Sequence, residues 1–173
     1  ILIDGQPVKI RNPHEAKAQG IAMVFQHFSL FDTLTAAENV WLGLDSGETL
    51  EQVSERIRAK ANEYGLPIDP SRPVHSLSVG ERQRVEIIRG LLANPKILIL
   101  DEPTSVLTPQ AVQKLFETLR QLASEGCSIL YISHKLDEIR ELCHACTVMR
   151  GGNVTGFVDP TKETNASLSR LMI

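Results

Sequence analysis

The sequence is poor in the features that mark disulfide-rich, membrane-spanning or nucleic-acid-binding chains. Three of its 173 residues are cysteine, too few and too clustered for a disulfide framework, which fits a reducing compartment. No apolar run approaches the roughly 20 residues that a membrane-spanning helix requires. The formal net charge is -3, and charges of both signs are spread along the chain without a basic patch for nucleic acid. What remains is one domain's length of chain with an ordinary apolar content of 42%.

A second absence concerns phosphate binding. No Gly-x-x-x-x-Gly-Lys-Ser/Thr occurs, and no other glycine-rich turn leads into a helix with a lysine at the right place. The segment Cys143-His144-Ala145-Cys146 has the spacing of a metal or redox site, but no second ligand pair accompanies it. A helix end that enters a strand is the simpler interpretation of that segment.

The apolar pattern predicts strands that alternate with helices. Turn signals at Asp4-Gly5 and Gly151-Gly152 indicate two short hairpins. The predicted strands are 21–25, 97–100, 128–132 and 146–149, and the predicted helices are 13–19, 50–65, 78–94, 108–125 and 135–142. Such alternation implies an α/β domain with a mostly parallel sheet. We expect Trp41 to lie in the core.

Two acidic residues follow the most apolar predicted strand. Asp101 and Glu102 come directly after Ile97–Leu100, a run long enough for a strand buried on both faces. Open parallel sheets bind ligands at the carboxyl ends of their strands, and Asp101 is a hard oxygen ligand suited to magnesium. A carboxylate at a strand end can alternatively cap a neighbouring helix.

A helix start lies upstream of these acids. Ser78 and Glu81 have the Ser-x-x-Glu spacing of a capping box. Around Ser78 and Gly80 the free N–H groups of the first turn would face outward and form a site for an anion such as a γ-phosphate. The alternative is an ordinary capping box without a ligand.

Together these motifs resemble those of the ATP-binding subunit of ABC transporters. Ile97–Asp101 matches the Walker B strand and Leu77–Gln83 matches the signature motif, while Gln26 and His134 match the Q-loop and the H-switch in order and rough spacing. The resemblance runs nearly from end to end. It implies a P-loop NTPase-like ABC ATPase domain with a mostly parallel sheet, a small antiparallel β part and a helical signature subdomain.

The resemblance also sets expectations for domain limits. The helical signature subdomain would occupy about residues 45–95, inserted in the α/β core. In the family the P-loop lies upstream of a segment that resembles residues 1–26, so we expect 1–173 to be one partial domain that is truncated at its N-terminus.

The same resemblance assigns roles in ATP hydrolysis, with ATP and Mg²⁺ as the cofactors. Asp101 would hold Mg²⁺, and Glu102 would polarise the attacking water. His134 would contact the γ-phosphate, and Gln26 would reach Mg²⁺ or water while its loop contacts the membrane subunit. The apolar residues Phe28, Leu30, Phe31 and Leu34 follow Gln26, and either docking of a transmembrane partner or core packing explains them.

The signature residues Ser78, Gly80 and Glu81 would face the nucleotide held by a second ABC domain. This copy departs from the commonest signature at Val79, where glycine is usual, and at Glu81, where glutamine is usual. Glu81 keeps the reciprocal capping role.

Further motifs resemble those of importers of simple sugars and nucleosides. They are Arg84-Val85-Glu86-Ile87, Ser105–Pro109 and Ile132–Leu136. The implied partners are a second ABC domain in tandem or as a dimer, transmembrane permease subunits and, indirectly, a solute-binding protein, with no nucleic acid. The implied location is the cytoplasmic face of a bacterial membrane. The alternative is a non-catalytic or non-transporter ABC protein that acts as a regulatory or interaction domain.

The missing glycine-rich loop generates a prediction about activity. The 173-residue chain on its own should show negligible magnesium-dependent ATP hydrolysis, because it has neither the lysine nor the amide cradle that holds the phosphates. A phosphate-release assay on the purified chain measures this, with the intact protein as the positive control. Clear turnover by the chain alone would contradict the prediction.

Overall fold

The fold is described from a computed structural model, in which residues 1–44 and 46–173 are described. The chain separates into two compact units, Ile1–Leu130 and Tyr131–Ile173. The predicted signature subdomain, 45–95, stays a prediction, and its first residue, Asp45, lies outside the described residues. Among the described helices, none is both long enough and apolar enough to cross a membrane.

Strands and helices alternate along the first unit, as the sequence predicts. In chain order they are β1 (Leu2–Ile3), β2 (Gln6–Pro7), α1 (Pro13–Ala18), β3 (Ile21–Val24), α2 (Ala36–Leu42), α3 (Leu50–Glu63), α4 (Val79–Leu91), β4 (Ile97–Asp101), α5 (Pro109–Ser124) and β5 (Ser128–Ile132). The last two residues of β5 belong to the second unit, which continues with α6 (Leu136–Leu142), β6 (Cys146–Arg150), β7 (Asn153–Val158) and α7 (Asn165–Met172). Short 3₁₀ turns occupy Val74–Ser76 and Pro160–Lys162.

The main sheet has the strand order β3-β4-β5, with β4 in the middle. β3 and β4 run parallel, and their register pairs Ile21 with Ile97 and Val24 with Leu100. The predicted parallel sheet is therefore confirmed, with β3 one residue shorter than expected. Because the two parallel strands start level with each other and β4 is one residue longer, their carboxyl ends lie at the same edge of the sheet.

One face of this sheet is covered by α4. Leu98 and Leu100 of β4 are fully buried, and Gly90 of α4 stands against Leu98, Ala22 and Val24. A Cβ at Gly90 would lie 3.6 to 3.9 Å from these side chains, so the helix lies close to the strands with room for a methyl group. This face therefore carries the core that fixes α4 to the sheet.

The other face of the sheet is less covered than predicted. Ile97 and Ile99 are only half-buried, and Leu130 of β5 is 55% exposed. The prediction of a β4 buried on both faces is therefore wrong, and alternate residues of β5 are exposed. Side chains alternate between the two faces of a strand, so cover on one face gives no cover to its neighbours on the other.

The starts of α4 and α5 lie where the sequence predicts them. Ser78 is the N-cap of α4, and the Thr108 hydroxyl accepts the Ala111 N–H at the start of α5. Pro109 occupies the first helical position of α5, where its missing N–H costs nothing. These signals are local, which explains why the sequence alone locates them.

The helix α2 was missed. Its start is a capping box in which the Thr35 N–H donates to Glu38 at 2.7 Å and the Glu38 N–H donates to the Thr35 hydroxyl at 3.1 Å. The expectation that Trp41 lies in the core is wrong, because α2 buries Ala36, Ala37, Asn39 and Val40 instead. Trp41 is 42% exposed, and its ring N–H donates to the Glu48 carbonyl at 2.8 Å.

In the second unit, β6 and β7 form an antiparallel hairpin. The turn between them is Gly151-Gly152, and both glycines have the positive φ that this type of two-residue turn requires. Cys143 follows α6 and Cys146 opens β6, as the simpler interpretation of that segment expects. Burial raises the pKa of the Cys143 thiol to about 11, which disfavours the thiolate that metal binding or redox chemistry needs.

The close approach of α4 to the sheet predicts the effect of a methyl group at Gly90. Gly90→Ala should raise the free energy of unfolding by about 0.5–1 kcal/mol, because alanine favours the helix and its Cβ would lie 3.6 Å from the nearest Leu98 carbon, an ordinary contact. Gly126→Ala is the control. It should destabilise, because Gly126 has a φ of +96°. Urea titration measures both, and a loss of stability in Gly90→Ala would contradict the prediction.

Candidate functional site

The parallel register brings three of the predicted site residues to one edge of the sheet. Val24 is paired with Leu100, so the chain leaves β3 and β4 at the same level. Asp101 is the last residue of β4 and Glu102 follows it, while Gln26 lies two residues beyond the end of β3. Gln26 is exposed, and both acids are half-buried. The edge therefore carries one amide and two carboxylates, all of which have oxygen atoms that can bind a metal ion.

Glu102 has a backbone conformation that sequence reasoning did not predict. Its φ is +47°, in the left-handed region that side chains other than glycine rarely adopt. Its carbonyl accepts the Ser105 N–H at 3.2 Å, and the two residues after it, Pro103 and Thr104, are buried. The buried neighbours hold a turn that costs on the order of 1–3 kcal/mol. Strain of this kind clusters at functional sites, which singles out Glu102 at this edge.

Ser78 begins α4 through a complete capping box. The Ser78 hydroxyl accepts the Glu81 N–H at 3.3 Å, and the Glu81 carboxylate accepts the Ser78 N–H at 2.8 Å. Ser78 is exposed, and a Cβ built at Gly80 would have no neighbour within 4 Å. The first turn is therefore open at Gly80, while the Glu81 N–H is already bound by the Ser78 hydroxyl; helix starts of this kind bind anions through their remaining N–H groups.

The Glu81 carboxylate has a second partner, Arg72. An Arg72 guanidinium nitrogen lies 2.6 Å from Glu81 Oε1, while Glu81 Oε2 accepts the Ser78 N–H in the capping box. The hydrogen bonds from Ser78 lower the pKa of Glu81 below its ordinary value, and Arg72 adds to the effect. Both oxygens thus serve the local fold, and a direct contact of Glu81 with nucleotide stays a prediction.

Gln83 is a polar residue of α4 that sequence reasoning did not single out. Its side chain is 4% exposed, and its amide nitrogen has no hydrogen-bond partner among the described residues. A buried donor without an acceptor costs about 1–3 kcal/mol. No pattern in the sequence distinguishes it from a surface glutamine.

One aromatic side chain of the apolar segment after Gln26 is largely exposed to solvent. Phe31 is 62% exposed, whereas Phe28, Leu30 and Leu34 are half-buried. None of these four side chains is fully buried, so core packing of this segment also stays a prediction. Docking of a partner on Phe31 stays a prediction.

His134 belongs to the second unit, where it follows β5 and is exposed. The turn around it is braced by Glu138, which accepts the Tyr131 hydroxyl at 2.7 Å and lies 3.3 Å from the Lys135 ammonium. The Ser133 hydroxyl also accepts the Lys135 N–H at 3.1 Å. These contacts fix the backbone on both sides of His134.

No group of three or more histidine, cysteine or acidic side chains comes together as a metal site within residues 1–44 and 46–173. At the sheet edge, Asp101 and Gln26 supply one carboxylate and one amide oxygen. That donor set fits Mg²⁺, which proteins commonly hold through one or two side chains together with water and substrate phosphates.

Comparison with protein families matches residues 1–105 to the model described as ABC transporter. Three relatives are a ribose import ATP-binding protein of Rubrobacter xylanophilus, a nucleoside import ATP-binding protein of Lactococcus lactis and an arabinose import ATP-binding protein of Vibrio parahaemolyticus, which are 40%, 39% and 36% identical over 100% of this chain. The chain spans 36%, 35% and 35% of their respective lengths.

Two solved structures have the same fold. The first is cbiO1 of Clostridium perfringens, part of the ABC transporter complex cbiONQ, with a TM-score of 0.77 and 28% identity over 93% of this chain and 66% of that one. The second is the dimeric ATP-binding cassette MJ0796 in a post-hydrolysis state with ADP and phosphate. Its TM-score is 0.77, with 25% identity over 91% of this chain and 72% of that one.

The capping box of α4 predicts a pH-dependent stability difference. Glu81→Gln should lower the free energy of unfolding near pH 7 by about 0.5–1 kcal/mol, because glutamine keeps the cap but loses the charge. Since folding lowers the pKa of Glu81, this contribution is present above the unfolded pKa of about 4.3 and disappears as the pH falls through the folded pKa.

Urea titration between pH 7 and pH 3 measures this difference. Glu117→Gln is the matched control, because Glu117 is exposed and forms a surface ion pair with Lys114. Its effect on the free energy of unfolding should stay below about 0.5 kcal/mol. A wild-type advantage over Glu81→Gln that grew toward acid pH would contradict the assignment.

Proposed function

We propose, from the premise that this chain belongs to the ABC transporter family, that it acts in the ATP-hydrolysing subunit of an importer for a simple sugar or nucleoside. The observation that carries the proposal is the register of β3 and β4, which delivers Gln26, Asp101 and Glu102 to one sheet edge. The ribose, nucleoside and arabinose import proteins among its relatives support the solute class.

Asp101 and Gln26 are the residues that we assign to Mg²⁺. Their oxygens suit a hard cation, and Asp101 ends β4 while Gln26 lies two residues beyond the end of β3 at the same sheet edge. Bound there with ATP, Mg²⁺ would supply neutralisation of the charge on the β- and γ-phosphates.

Glu102 is assigned to the attacking water. A carboxylate at this position accepts a hydrogen bond from the water and orients a lone pair of the water oxygen toward the γ-phosphorus. Phosphoryl transfer depends chiefly on such positioning. The positive φ of Glu102 supports the assignment, because it turns the chain sharply directly beside Asp101. His134 is assigned a hydrogen bond to the γ-phosphate, which imidazole can donate in either protonation state.

Ser78 and the first-turn amides of α4 are assigned to the γ-phosphate of ATP held by a second ABC domain. The open space around Gly80 supports access of a ligand, and the helix dipole favours an anion there. The dimeric MJ0796 cassette supports a two-domain unit. The further partners in this proposal are permease subunits and a solute-binding protein, with the subunit on the cytoplasmic face of the membrane.

The assignment of Glu102 predicts a separation of binding from hydrolysis. In the full-length protein, Glu102→Gln should leave ATP affinity within about threefold and lower the turnover number by about 10²–10⁴-fold, because a neutral amide is a weaker acceptor than a carboxylate for the water and cannot take up its proton. Glu117→Gln, on the exposed face of α5, should leave both unchanged. ATP binding and phosphate release measure the two effects, and wild-type turnover in Glu102→Gln would remove Glu102 from this role.

The solute class is tested by uptake in the source cells. Deletion of the gene should abolish energy-dependent uptake of a pentose or a nucleoside, and wild type but not Glu102→Gln should restore it. Unchanged uptake of labelled ribose, arabinose and nucleosides after deletion would contradict the proposed solute class while leaving ATP hydrolysis to be decided by the turnover assay.

A further inference from the structure

One face of α4 carries three charged residues that contact the segment after Gln26. Arg82, Glu86 and Arg89 are spaced four and three residues apart, so they form a stripe along the helix. The segment that they contact includes Ser29 and Asp32. These five residues are called the Ser29 clamp below.

Glu86 is the centre of the Ser29 clamp. The residue is 1% exposed, and its carboxylate accepts the Ser29 N–H at 2.8 Å while it forms an ion pair with Arg89. Arg89 in turn donates to the Ser29 hydroxyl at 2.6 Å and to the Ser29 carbonyl at 3.3 Å. A buried carboxylate is stable only when its oxygens are paired. Withdrawal of Ser29 from α4 would therefore remove two donors from Glu86, the Ser29 N–H and the Ser29 hydroxyl at 3.4 Å.

The segment is held at its far end as well. Arg82 lies 3.1 Å from the Asp32 carboxylate, and the Asp32 carbonyl accepts the His75 N–H at 3.0 Å. Between these points, the buried Asn39 accepts the Phe31 N–H at 2.7 Å and donates to the Phe31 carbonyl at 3.0 Å. The exposed Asp32 pair contributes little, so the buried contacts of Glu86 and Asn39 set the path of the chain.

The consequence joins two segments that the proposed function uses separately. Ser29 lies three residues beyond Gln26, and Glu86 lies two turns along the helix that begins at Ser78. The end of β3 fixes the start of the segment that carries Gln26. The Ser29 clamp fixes the position of the chain three residues beyond Gln26. The position of Gln26 is therefore restrained from both sides, by β3 before it and by α4 after it.

We propose that Glu86 is a positioning residue, which fixes the segment after Gln26 to α4 and thereby sets the position of Gln26 at the sheet edge. Its consequence for ATP turnover rests on the proposed function, whereas the mechanical link does not. Glu86 touches neither nucleotide nor metal in this proposal and acts through Ser29 and Arg89.

Hydrogen–deuterium exchange of the full-length protein tests the mechanical link without nucleotide. In Glu86→Gln the backbone amides of residues 27–34 should exchange about tenfold faster, the factor that corresponds to one charge-assisted hydrogen bond, while the amides of β4 stay within about twofold of wild type. Arg84→Gln is the matched control, because Arg84 lies on α4 but donates to the Pro67 carbonyl at 3.1 Å. It should leave residues 27–34 unchanged.

Ser29→Ala keeps the test decisive if Glu86→Gln does not fold. Ser29 is exposed, and the substitution removes only its hydroxyl, which accepts from Arg89 at 2.6 Å and donates to Glu86 at 3.4 Å, while the Ser29 N–H to Glu86 is kept. The exchange of residues 27–34 should then rise about threefold with the rest of the chain unchanged. Wild-type exchange of this segment in Ser29→Ala, together with either wild-type exchange or general loss of protection in Glu86→Gln, would overturn the proposal.

Steady-state ATP hydrolysis tests the functional consequence. Glu86→Gln should lower kcat about tenfold and leave the KM for ATP within about twofold, because Gln26 acts at the γ-phosphate and not on the rest of the nucleotide. Arg84→Gln should change neither. An equal kcat in Glu86→Gln with faster exchange would overturn the positioning of Gln26 by Glu86. A wild-type protein without any turnover would refute the proposed function, while the exchange data would still decide the mechanical link.

Discussion

The register between β3 and β4 is the constraint on which the candidate site depends. Four consecutive residue pairs, from Ile21 with Ile97 to Val24 with Leu100, hold the strands level. A slip by one residue would exchange the faces of every side chain in one strand, and Leu98 would leave the core. The burial of alternate residues therefore protects the alignment of Gln26 with Asp101 and Glu102. The same hydrogen-bond ladder therefore determines both which side chains enter the core and which residues meet at the sheet edge.

The helix α4 connects this edge to the rest of the unit. Its inner face packs on the sheet around Gly90, its first turn presents Ser78, and its polar stripe binds the segment after Gln26 through Glu86. A helix that is fixed to the sheet along its length keeps its N-terminus in a defined direction, which the dipole needs in order to attract an anion at one place. The capping box adds to this, because Glu81 and Arg72 tie the first turn to the chain before it.

Local signals allowed much of the fold to be predicted from the sequence. The cap at Ser78, the Thr108-Pro109 helix start and both glycine-containing hairpin turns depend on a few neighbouring residues. The start of α2 has the same spacing, Thr35-x-x-Glu38, and a consistent search for it would have found that helix. The half-covered face of the sheet and the positive φ of Glu102 were not predictable in this way, because both depend on what packs against a strand from elsewhere in the chain.

Glu86 shows why a buried charge differs from a buried apolar residue at the same position. An isoleucine there would fill the space between α4 and the segment after Gln26, but it would tolerate many placements of that segment, since apolar contacts have little directionality. The carboxylate accepts only donors at suitable distance and angle, and an unpaired oxygen is penalised heavily in a buried site. The position of Ser29 is therefore specified by geometry and not merely by packing. Because the segment between Gln26 and Ser29 is short, that specification extends to the candidate site itself.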